Sequence, residues 1–139
     1  MKLRGLLARM LIGLVTFLNL QCAVIFLLFP DSYSSGFELA GIPGEVQVRG
    51  LGILFIMWNI PYIVALADPI RFRVSLYEAI VMQAVGLIGE TSLLITLPPG
   101  HTALQFTAHR FIGFDGAGLG LLILAAILTI RKKSAVQPT

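Results

Sequence analysis

Four apolar runs dominate the chain: Leu11 to Phe29, Gly50 to Ala67, about Val74 to Leu97 with polar interruptions, and Phe111 to Ile130. The stretches between them gather glycine, proline and charge. Each run has roughly the 18–20 residues a helix needs, at about 1.5 Å per residue, to cross a hydrocarbon core about 30 Å thick. The runs predict helices, because hydrocarbon offers no partner to an open backbone group, and they lack the alternation of a barrel strand. The expected fold is all-α, a four-transmembrane-helix up-down-up-down bundle, with residues 1–139 forming a single integral membrane domain. Lys2, Arg4 and Arg9 precede the first run in the manner of a signal peptide. The run exceeds the usual 7–15 residues of such a segment, and Phe29-Pro30-Asp31 offers no small-x-small cleavage site, so a retained helix is expected.

Composition sharpens this picture. The chain is 57% hydrophobic and 12% charged, with a mean hydropathy of +0.90, which excludes an ordinary water-soluble domain. The net charge of +3 calls for no nucleic-acid partner, since the basic residues sit at the ends of apolar runs. Of the ten Lys and Arg residues, eight (Lys2, Arg4, Arg9, Arg71, Arg73, Arg131, Lys132 and Lys133) fall on one predicted side, and only Arg49 and Arg110 on the other. That bias predicts both termini in the cytoplasm, with the chain integral to the cell (inner) membrane. The outer stretch from Pro30 to Val48 is expected to be an ordered connector, with a cap folded onto the bundle as the alternative, and the tail after Lys133 is expected to fray. Phe29, Tyr33, Phe106, Phe111 and Phe114 are expected to anchor the outer boundary, and Phe72 and Tyr77 the inner one.

Polar groups within the runs carry the candidate chemistry, because an ionisable side chain there must face protein, water or a partner. Glu78 lies near the start of its helix and is expected to snorkel or to pair with Arg71 or Arg73. Glu90 shares a helix face with Gln83 and Gly86, a polar and small stripe. Depth alone gathers Arg49, Glu90, His109, Arg110 and Asp115 near the outer leaflet. They form either a structural set of ion pairs or a ligand-binding, proton-handling site. Asn59, one turn from the helix-distorting Pro61, makes either an interhelical hydrogen bond or a ligand contact; Trp58 and Tyr62 lie equally deep. Gly113, Gly116 and Gly120 place a small face on the fourth helix, suited to close packing against a neighbour in the chain.

A single cysteine, Cys22, excludes an internal disulfide, a Cys-x-x-Cys redox pair and a cysteine-built metal or iron–sulfur centre. His101 and His109 share one outer loop and cannot bracket a haem, so no metal site is expected. The sequence requires no cofactor; a quinone or a pigment is the class its polar cluster suits.

Three stretches, Arg49-Gly-Leu-Gly52, Glu78 through Gly89-Glu90, and Arg110-Phe-Ile-Gly-Phe-Asp115-Gly, give the chain a pattern that resembles the small bacterial four-helix membrane proteins of the DoxX-like group. The resemblance covers most of the chain and implies an accessory or quinone-linked membrane subunit, with no catalytic residue to transfer. The leading reading is a non-catalytic accessory or assembly subunit of a larger respiratory or photosynthetic membrane complex. Its partners would be the lipid bilayer and other membrane subunits or a second copy. The alternative is a protein that binds or converts a lipophilic small molecule, a quinone, isoprenoid or pigment, at the outer polar cluster. A small transporter is a third reading, disfavoured by the strong charge bias and the lack of a visible inverted repeat.

Overall fold

A computed structural model describes residues 3–130 of the chain. Lys2, the basic residues Arg131, Lys132 and Lys133, and the tail expected to fray lie outside the described residues. The described chain is helical throughout its ordered elements: α1 (Leu3–Leu28), a single turn α2 (Asp31–Ser34) continued by a tight turn at Ser35–Phe37, α3 (Gly41–Trp58), α4 (Ile60–Ala67), α5 (Arg73–Thr96) and α6 (Thr102–Thr129). With α3 and α4 taken together, four helices are long and apolar enough to cross a membrane.

These helices outrun the apolar runs that predict them. Helix α1 begins at Leu3 rather than Leu11, α3 at Gly41 rather than Gly50, and α6 at Thr102 rather than Phe111. Hydropathy marks only the part that matches hydrocarbon, whereas a helix once nucleated extends through polar residues because each addition closes one more hydrogen bond. The predicted distortion falls where Pro61 lacks an N–H for the Met57 carbonyl. The chain turns at Asn59, whose backbone N–H reaches back to the Phe55 and Ile56 carbonyls, both at 3.1 Å, and α4 starts afresh at Ile60.

Helix α1 is the hub. It packs on α3, α4 and α6, while α5 packs on α6 and α4 but scarcely meets α3. Ile12 and Val15 from α1, Tyr62 and Ala65 from α4, Leu76 and Ala79 from α5, and Leu122 and Ala125 from α6 interlock in one buried core. Beyond it, Asp68 Oδ1 accepts the Ile70 and Arg71 amides at 3.0 and 3.1 Å, which holds the Asp68 carboxyl below its ordinary value and fixes the link between α4 and α5. Arg73 Nη2 donates to the Thr129 carbonyl at 3.0 Å. Glu78 is exposed and has no cation within 4.0 Å among the described residues, so the expected pair with Arg71 or Arg73 does not form: Arg73 is drawn across to the end of α6.

The opposite end is closed by residues 31–40, which fold onto the helices as a cap rather than running past them as a connector. Phe26, fully buried, takes Tyr33 edge-on at 4.6 Å between ring centres and Phe55 in a stack at 5.6 Å; Phe37 stacks on Phe111. Thr107 Oγ1 donates to the Gly36 carbonyl at 2.7 Å, and His101 Nδ1 meets Glu38 Oε2 at 2.6 Å, tying the two loops together. Tyr33 and Phe111, expected as boundary anchors, are therefore packed into an aromatic cluster, whereas Phe29 and Phe106 stay exposed.

Close helix approach uses different glycines from those expected. A methyl group on Gly52 would stand 2.9 Å from the Ala23 carbonyl oxygen, and one on Gly118 would stand 2.9 Å from the Gln83 amide nitrogen. Gly113 and Gly120 meet nothing within 4 Å, and Gly116 meets only Leu87, at 3.8 Å. Two residues along a helix turn a side chain by about 200°, so the face of α6 that holds Gly118 against α5 turns Gly120 away.

Candidate functional site

Polar side chains from three helices meet in the bundle interior. Tyr62 on α4 donates its hydroxyl hydrogen to Gln83 Oε1 on α5 at 2.7 Å, and Gln83 Nε2 donates to Asp115 Oδ1 on α6 at 2.8 Å. The break at Asn59 sets Tyr62 at the start of α4 facing the core. Two glycines let α5 and α6 close around the relay. Gly118 leaves room for the Gln83 amide, and a side chain at Gly86 would collide with Asp115 Oδ2. Such hydrogen bonds strengthen one another in a medium of low dielectric.

The relay borders a cavity of about 50 Å³ whose other walls include Asn19, Phe55, Trp58, Asn59 and Met82. A water needs about 10–15 Å³ by this measure, so the cavity holds a few water-sized groups. Because α3 and α5 scarcely meet, the cavity lies at a cleft between them, with Phe55 and Trp58 stacked on one side and Met82 and Gly86 on the other. Asn59 is 2% exposed; its Nδ2 donates to the Phe55 carbonyl at 2.7 Å, while Oδ1 is buried without a hydrogen-bond partner. A buried acceptor left unpaired costs more than a paired one contributes, which makes this oxygen the most informative atom in the interior.

Of the six candidate residues, the structure brings Asn59 and Asp115 to this cavity, sets Glu90 near enough to Asp115 for the two carboxyls to interact, and leaves Arg49, His109 and Arg110 apart. Arg49 is exposed and pairs within its own helix with Glu45 at 3.6 Å. His109 is exposed, its Nδ1 donating to the Gln105 carbonyl at 2.7 Å. Arg110 lies over the Tyr33 and Phe106 rings, 5.7 and 5.9 Å from their centres, beside a separate groove of about 330 Å³ walled by Gln21, Cys22 and Phe114. Glu90 is half-buried on α5 and has neither a hydrogen bond nor a cation within 4.0 Å among the described residues. The five-membered outer network therefore does not assemble: common depth along the helices does not bring common direction around them.

Sequence reasoning passed over Tyr62, Gln83 and Asn19 as members of one site. Their signal lay in the Gln83–Gly86–Glu90 stripe, of which the Glu90 end was given the weight and the Gln83 end carries the contacts. Among the described residues no group of three His, Cys, Asp or Glu side chains is placed to hold a metal ion. Neither a protein-family model nor a curated protein nor a solved structure matches this chain.

Proposed function

We propose that the four apolar helices span a cell membrane as an up-down-up-down bundle with both termini cytoplasmic, and that the chain binds there a lipophilic molecule with a polar head, of the quinone, isoprenoid or pigment class. Membrane insertion is supported by exposed Leu, Ile, Val and Phe side chains all along the helices, an arrangement that only hydrocarbon tolerates over such a length. The orientation is supported by the lysine and arginine bias. One observation carries the binding reading: a polar relay, Tyr62–Gln83–Asp115, with an unpaired Asn59 oxygen, at the base of an aromatic-walled cleft between α3 and α5. Polar groups inside a membrane are costly and are kept where they serve, and convergent polar groups in an apolar pocket are the usual form of a small-molecule site. The DoxX-like resemblance contributes no residue role to this reading.

Purification from native membranes in mild detergent, followed by solvent extraction and mass spectrometry, tests it. The wild-type chain is expected to retain about one lipophilic molecule per chain, and a folded Gln83→Leu variant to lose it. Bulk bilayer lipid alone in the wild-type extract, or undiminished retention by the variant, overturns the reading.

A second reading, an accessory subunit of a larger membrane complex, is favoured by Gly113 and Gly120, which present a flat face with nothing packed on it. It predicts that larger subunits copurify and are lost when both glycines are replaced by leucine.

A further inference from the structure

A groove of about 330 Å³ runs between α1 and α6 at the cap end, within the size range of small-molecule sites. Leu18, Gln21 and Ile25 line it from α1, Arg110 and Phe114 from α6, and Tyr33 from the cap; none of its lining residues is acidic. Gln21 is exposed inside an apolar run, about 10 Å short of the end of α1, and no hydrogen bond engages its amide among the described residues. Arg110 is exposed and has no carboxylate within 4.0 Å among the described residues. Its guanidinium lies over the rings of Tyr33 and of Phe106, one turn nearer the start of α6, so it leans toward the cap end. A ring face attracts the charge but offers no lone pair to the five N–H hydrogens. Of the carboxylates at this end, Glu38 and Glu45 are taken by His101 and Arg49, and Asp31 has no cation within 4.0 Å among the described residues. The groove thus holds a positioned cation and a free amide above apolar walls, with no anion of its own.

We infer that this groove binds one phospholipid of net negative charge from the leaflet at the cap end, with its phosphate on the Arg110 guanidinium and an acyl chain laid along Leu18, Ile25 and Phe114. The inference rests on the membrane insertion proposed above and is independent of the reading of the Gln83 cavity. A guanidinium meets a phosphate through paired N–H···O bonds, which gain strength where water is scarce. A zwitterionic headgroup brings a cation of its own, which neutralises the phosphate and repels Arg110. A glycerol headgroup carries no such cation, and its hydroxyls suit the Gln21 amide, which both donates and accepts. Basic recesses between transmembrane helices are a known form of anionic-headgroup site. Leu18 and Gln21 are exposed, so the groove opens sideways to hydrocarbon, and a tail covers apolar wall that a free phosphate would leave bare.

The test is native mass spectrometry of the full chain, recovered from the membrane fraction in mild detergent and titrated with dioleoyl phosphatidylglycerol or dioleoyl phosphatidylcholine, which share both tails. Recovery from that fraction keeps failure of the insertion reading apart from failure of this one. The wild-type chain is expected to hold one phosphatidylglycerol at least about tenfold more tightly than phosphatidylcholine, and not to bind glycerol phosphate, the same head without tails, at those concentrations. Arg110→Gln is expected to bring the two lipids within about twofold, whereas Arg49→Gln, at an exposed arginine of the same end, keeps the preference. Gln21→Leu makes α1 more apolar and leaves insertion intact, and is expected to reduce the preference at least about threefold, which decides the question even if Arg110→Gln does not fold. Equal wild-type affinities overturn the inference. A preference undiminished in folded Arg110→Gln or in Gln21→Leu, or reduced as much in Arg49→Gln, overturns the assignment to this groove. Glycerol phosphate bound as tightly as the lipid overturns the lipid as its occupant.

Discussion

At the scale of single residues, the polar groups of this chain divide into those that find partners by turning outward and those that find them inside. Arg49, His109 and Arg110 satisfy themselves on their own helix or on aromatic faces, whereas Gln83 joins two helices through one amide. Glu38 shows how an exposed carboxylate contributes to the cap. Its hydrogen bond with His101, and then the amides of Leu104 and Ala103 at the start of α6, hold its carboxyl below the ordinary 4.5. The unfolded chain binds this proton more readily than the folded one, so the contribution is complete above pH 4.5 and is lost as pH falls through the lowered value. Thermal unfolding of wild-type and Glu38→Gln protein at about pH 5 and about pH 3 is therefore expected to show the wild-type advantage shrinking on acidification. An advantage that grows between those pH values contradicts this assignment.

At the scale of elements, glycine position decides which helices can approach. A methyl group at Gly52 meets the backbone carbonyl of Ala23, which cannot swing aside, and one at Gly118 meets the Gln83 amide on which the relay depends. Gly52→Ala and Gly118→Ala are each expected to destabilise the protein by about 1–3 kcal/mol, the usual range for overpacking, whereas Gly113→Ala and Gly120→Ala should stay within about 0.5 kcal/mol of wild type. Melting temperatures of the four variants in one detergent check this; a Gly120→Ala protein as damaged as Gly118→Ala would refute the packing described here. The elements themselves were largely legible in the sequence. Four apolar runs mark the four long helices, and Pro61 marks the break at Asn59. Their true starts were not, because residues such as Glu45, Gln47 and Gln105 lie in helical turns that hydropathy does not register. The site was half legible: Asn59 and Asp115 stand out as polar residues in apolar runs, while their partners depend on how α4, α5 and α6 are rotated against one another. A one-dimensional pattern carries depth, and it carries rotation only where a stripe such as Gln83–Gly86 is followed to its buried end.

At the scale of the whole molecule, the unequal packing of α5 is the feature that links the fold to the function proposed for it. It closes on α6 and α4 yet scarcely touches α3, and the small cavity beside the relay is walled there by Phe55 and Trp58 from α3 and by Met82 and Gly86 from α5. On the binding reading proposed above, a molecule dissolved in the bilayer would reach the cavity between α3 and α5 with its polar head toward Gln83 and Asp115. The most direct test is photocrosslinking in nanodiscs with an alkylphenol that carries a diazirine beside its ring, with the adducts mapped by tandem mass spectrometry. The account predicts adducts concentrated on Phe55, Trp58, Met82 and Gly86, competed away by unlabelled alkylphenol and absent in Gln83→Leu. Adducts spread over outward-facing positions such as Phe17, Val85 and Ile95, with no competition, would contradict it.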